Sequence, residues 1–93
     1  SADEEAIFYI GCAEKYLLTH KESIFGGLIY AKIGVGYLIL KEWKKAYDSI
    51  TESLEREWPN FLYEYKSTMD DQKRVLKEAL EEIVKRGFVK YKE

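Results

Sequence analysis

From Ile24 to Leu40 the chain carries a single charged residue, Lys32. An amphipathic surface helix shows one apolar stripe, whereas a helix that is apolar nearly all round has to be covered on every side. The run is short for a bilayer-spanning helix, which needs about 20 apolar residues. It is also broken by Lys32 and by Gly26, Gly27, Gly34 and Gly36. It therefore reads as the central, buried helix of a soluble domain and not as a membrane span. Each glycine costs about 1 kcal/mol relative to alanine at an exposed helical site. Two explanations fit so many together: close backbone approach by neighbouring helices, or a local break near Gly26 and Gly27.

The segments around this run supply the covering helices. A first helix is expected from Asp3 to Leu18, with Ala6, Ile10, Ala13 and Leu17 at helical spacing and Tyr9 and Tyr16 beside them. Asp3, Glu4 and Glu5 suit its positive N-terminal end. Thr19, His20 and Lys21 form a turn, and Ser23 is the expected N-cap of the central helix. In the third helix Trp43, Ala46, Tyr47, Ile50, Ser53 and Leu54 make the inner face. On its outer face Lys44 with Asp48, and Glu52 with Arg56, stand four apart and can pair. The very short turn around Lys41 forces the second and third helices into an antiparallel hairpin. Pro59 suits the first turn of a short fourth helix reaching Lys66. Ser67 with Asp70, or Thr68 with Asp71, resembles a capping box for a last helix ending near Arg86. Leu76, Ala79, Leu80 and Ile83 face inward in that helix, flanked by Val75 and Val84, and Gly87 is its C-cap. Phe88 to Tyr91 alternates and reads as a short extended tail.

The expected fold is all-α: a small bundle of four to five helices in one domain, residues 1–93. A chain of 93 residues closes one modest core, and one proline with no Gly/Ser linker gives no place to divide it. A net charge of −2 offers no global attraction for nucleic acid or an acidic membrane. The acidic start is unlike a secretory leader, and a single cysteine, Cys12, cannot form an internal disulfide. A cytoplasmic setting is expected. Asn60 and Gln72 are the only side-chain amides among many Glu and Lys, a bias that suits a thermophilic source.

Tyr30, Ile33, Gly34 and Tyr37, then Ala46 and Ile50, then Pro59, form a row that resembles a tetratricopeptide repeat (TPR). Pro59 falls about one residue late. The resemblance covers about a third of the chain. One repeat length earlier, Cys12 and Tyr16 take the places of Ala46 and Ile50, so the first helix resembles the second half of a preceding repeat. One repeat length later, Thr68 and Asp71 break the pattern. The likeness spans one to one and a half repeats and implies a TPR-like antiparallel hairpin. Repeat arrays use neighbouring repeats to cover each face, so a bundle containing one repeat-like hairpin fits the sequence as well.

No catalytic constellation is visible, and an enzyme is not expected. His20, the only histidine, sits in a turn and reads as solvated, and Cys12 reads as a small core residue away from any activating helix N-terminus. One Cys and one His do not build a zinc site, and no phosphate-cradling loop or cofactor motif is present. The stem of Lys32 is expected to pack while its ammonium reaches water.

Two surface features remain. Trp58, Phe61, Tyr63 and Tyr65 form an aromatic run in a chain with eight tyrosines and two tryptophans. Aromatics anchor interfaces and also fill cores. Lys85, Arg86, Lys90 and Lys92 make a basic end, and the helix leading into Gly87-Phe88-Val89 looks like the helix-to-wing edge of winged-helix DNA-binding domains. Basic residues at a helix C-terminus also complement its dipole. The expected function is a non-enzymatic interaction module that binds a protein partner or a second copy, with the aromatic run as its anchor. Nucleic-acid binding through the basic end is the alternative.

Overall fold

The computed structural model describes residues 1–59 and 66–90. The protein is all-α, with helices α1 (Ala2–Thr19), α2 (Gly26–Ile39), α3 (Trp43–Glu55) and α4 (Lys66–Lys85) and no strand among the described residues. The short helix expected between Pro59 and Lys66 lies, apart from its ends, outside the described residues.

Helix α2 is the centre, with α1 on one side and α3 on another, and α4 docks on α3. Its glycines set the spacing. A methyl at Gly34 would lie 2.5 Å from Ile50 Cγ1, and one at Gly36 would lie 3.0 Å from Ile10 Cδ1. Gly34 therefore lets α3 approach and Gly36 lets α1 approach, as the close-packing explanation requires. The glycine pair has a different role. Helix α2 begins at Gly26, two residues later than a Ser23 cap would give. Ser23 instead closes a turn: its Oγ accepts from the Phe25 amide at 3.2 Å and its carbonyl from the Gly26 amide at 3.0 Å. The space that side chains at Gly26 and Gly27 would need is filled by Arg56 and Trp58.

The α2–α3 hairpin is antiparallel. Its turn satisfies the end of α2 by the Schellman pattern: Glu42 N–H donates to Tyr37 O at 2.9 Å and Lys41 N–H to Leu38 O at 3.1 Å. This puts Lys41 in the left-handed region, at φ 59°. Helix α4 ends the same way, with Phe88 N–H on Ile83 O and Gly87 N–H on Val84 O, and here the left-handed position is a glycine, φ 75°. Its start differs from expectation. Ser67 and Thr68 lie inside the first turn of α4, so neither caps it, and Lys66 pairs with Asp70 at 3.1 Å.

Three clusters of buried residues make the core. Ile10, Ala13 and Leu17 of α1 pack on Ile33 of α2. Ala31, Ile50, Trp58 and Leu76 join α2, α3 and α4. Ala46, Ile83 and Val89 close the far end, where Phe88 stacks on Trp43 with ring centres 4.5 Å apart. The tail expected to be extended is thus folded back as far as Lys90.

Candidate functional site

An open groove of about 620 Å³ runs between α1, α2 and the first half of α4. Its origin lies in residue size. Ala2 and Ala6 of α1, and Ala31 and Gly36 of α2, present little bulk. Helix α1 packs on α2 and α4 packs on α3, so α1 and α4 leave a trough between them. Val35, Ile39 and Val75 line it and are exposed. Val75 was expected to flank the core and instead forms a groove wall. The volume falls within the range of ligand and peptide sites, about 300–1,000 Å³.

The polar groups are few. Glu5 and Asp71 stand on the α1 and α4 walls, with Thr68 and Gln72. Lys32 is exposed and holds its ammonium 5.2 Å from the centre of the Tyr9 ring, a cation–π contact. Burial pushes the Tyr9 phenol above its ordinary range. The groove can therefore cover an apolar surface and hold polar groups at its edges.

The residues singled out for chemistry stay apart. Cys12 is exposed on α1, not in the core as its mid-helix position suggested. His20 caps the end of that helix, about 12 Å further along at 1.5 Å per residue. His20 stacks on Tyr16 at 4.2 Å, and its Nδ1 lies 2.8 Å from Thr19 Oγ1. Among the described residues no group of three His, Cys, Asp or Glu is placed to hold a metal ion. No helix among them is long and apolar enough to cross a membrane.

The aromatic anchor needs correction at Trp58. It is 6% exposed, and its Nε1 donates to Ser53 O at 3.1 Å. It belongs to the core because the glycine at position 27 opens a slot for the indole. Ala31 and Leu76, which line the groove, pack in the same cluster. Phe61, Tyr63 and Tyr65 lie outside the described residues, as does Lys92. Lys85, Arg86 and Lys90 are exposed, but Arg86 is engaged by Glu82 at 2.7 Å. Val89 is buried where a winged-helix edge would need a free strand.

Sequence reasoning missed the groove, although a signal for it was present. Helix α2 is apolar on all sides, and a chain this short brings too few neighbours to cover every side. Compared with known proteins, the chain matches no family model, no curated protein and no solved structure.

Proposed function

We propose that this protein is a non-enzymatic interaction module, acting through protein–protein contact, and that the groove between α1, α2 and α4 receives the apolar side of a helix from its partner. The open apolar groove carries the reading. Soluble proteins seldom leave a contiguous apolar surface uncovered unless it is used. Helix-in-groove recognition needs an apolar lining for side chains at helical spacing and polar groups for the flanks. Val35, Ile39 and Val75 supply the first, and Glu5, Lys32 and Asp71 the second. The resemblance of the α2–α3 hairpin to a tetratricopeptide repeat supports the same class of function, with Gly34 on Ile50 as its close contact. A free, exposed Cys12 suits the reducing cytoplasm, and the scarcity of amides suits a thermophilic source.

The test is site-specific photo-crosslinking from position 39 in native extract, comparing the parent with a Val35→Asp, Val75→Asp double variant. These side chains are exposed, and circular dichroism of the variant checks that it is folded before its adducts are compared. A discrete adduct that disappears in the variant supports the groove. No adduct, or one that persists unchanged, removes the groove as the binding surface.

A further inference from the structure

Beside the groove, and sharing Tyr9 and Lys32 with it, lies a second hollow of about 380 Å³. Its other lining residues are Tyr16, Phe25, Leu28 and Ile29. Tyr9 and Tyr16 stand two turns apart on one face of α1, and Phe25 to Lys32 bring in the first half of α2. Two of the aromatic walls are held by one hydroxyl. Ser23 Oγ accepts from the Tyr16 phenol at 3.1 Å and from the Phe25 amide at 3.2 Å. The Tyr16 ring is further fixed by stacking on His20 at 4.2 Å. The hollow is thus organised before any ligand arrives.

Lys32 is its only charged lining residue. The residues one turn away on α2 are Leu28, Ile29, Val35 and Gly36, so its own helix supplies no counter-charge. Glu5 and Asp71 join Lys32 in lining the groove, yet Lys32 forms no ion pair among the described residues. Its ammonium rests instead 5.2 Å from the centre of the Tyr9 ring. A hollow lined by three aromatic rings, two aliphatic side chains and one cation discriminates by chemistry. Flat apolar rings pack on Tyr9, Tyr16 and Phe25 by offset or edge contacts. A carboxylate accepts a charge-assisted hydrogen bond from Lys32 Nζ, whereas a cation is repelled there. We therefore infer that this hollow binds a small aromatic monocarboxylate, its ring against Tyr16, Phe25, Leu28 and Ile29 and its carboxylate on Lys32. The volume lies toward the low end of ligand sites, about 300–1,000 Å³, and suits one or two rings. A small-molecule site goes beyond the reading of this protein as an interaction module.

The experiment is an NMR titration of the full chain at neutral pH and low salt, following the methyl groups of Leu28 and Ile29. Three probes of one shape are compared: naphthoate, the neutral naphthylmethanol and the cationic naphthylmethylamine. Naphthoate is expected to shift both residues saturably and to bind about tenfold more tightly than the alcohol, with the amine weakest. Lys32→Met keeps the apolar stem and removes the charge, so the preference for the acid over the alcohol is lost. Lys32→Arg keeps it. The ratio of the two affinities is the readout, so a variant that weakens both probes through the fold does not imitate the result. Equal binding of acid and alcohol by the parent, or a preference that survives Lys32→Met, overturns the inference. So does a titration with no saturable shift, or one that moves Val35, Ile39 and Val75 while Leu28 and Ile29 stay still. None of these results touches the partner helix in the groove, which position-39 crosslinking tests separately.

Discussion

Gly34 and Gly11 are the same residue in the same kind of structure, yet opposite responses to alanine are expected. Both are helical, so each substitution gains up to about 1 kcal/mol of helix propensity. At Gly11 the methyl enters open space, and Gly11→Ala raises the stability of the monomer by that order. At Gly34 it meets Ile50 Cγ1 at 2.5 Å and the Ile50 backbone nitrogen at 3.3 Å. The side chain can turn, but the backbone cannot without moving α3. Overpacking costs about 1–3 kcal/mol, so Gly34→Ala is net destabilising. Urea unfolding of dilute protein measures both, and a stabilised Gly34→Ala would show that the hairpin tolerates a wider spacing. Lys41 poses the reverse problem. It occupies a left-handed conformation at φ 59°, which costs an L-residue about 1 kcal/mol or more. Lys41→Gly is expected to stabilise the fold by about 1 kcal/mol. No gain in urea midpoint would mean that the lysine side chain offsets the strain.

At the scale of elements, α2 and α3 are locked by one polar contact inside an apolar interface. Ser53 is fully buried, and its Oγ donates to Gly27 O at 2.6 Å. Its own carbonyl accepts the Trp58 indole N–H, so the start of α2, the end of α3 and the chain beyond meet there. Ser53→Ala removes the donor and is expected to cost about 1–2 kcal/mol. Ser53→Val, which also adds bulk under Gly27, costs more, and thermal unfolding should rank them so. A second tie joins α1 to α2, where the Tyr37 phenol donates to Glu14 Oε2 at 3.0 Å. Burial first, then the Glu14 carboxylate and the Glu42 charge, hold this phenol above its ordinary range. A pKa raised by folding gives stability that is complete below the unfolded value, about 10 for tyrosine. It is lost as pH rises through the folded value. Stability should therefore fall more steeply above pH 10 in the parent than in Tyr37→Phe.

These contacts show what the sequence made legible. The apolar rows of α1, α3 and α4 located the helices and most of the core, because periodicity reports which face is buried. The i to i+4 pairs Lys44–Asp48 and Glu52–Arg56 were readable for the same reason. Ser23 and Ser67 misled, since a hydroxyl closes a turn or rides inside a helix as readily as it caps one. Trp58 gave no sign of its depth, because a tryptophan suits a core and an interface equally and the slot at Gly27 is tertiary. The groove was harder still: the all-round apolar α2 signalled an uncovered side, but which side stays open is set by how α1 and α4 pack around it.

Across the whole molecule the helices are unequally held. Helices α2 and α3 are covered by each other and by neighbours on further sides, whereas among the described residues the buried cluster of α1, Ile10, Ala13 and Leu17, packs on Ile33 of α2. Local opening costs least where packing is one-sided, so α1 should detach before the α2–α3 hairpin unfolds. Native-state hydrogen exchange on dilute protein is expected to show weaker protection at Ile10 and Ala13 than at Ile33 and Ile50. If α1 and α3 exchange alike, the molecule opens as one unit.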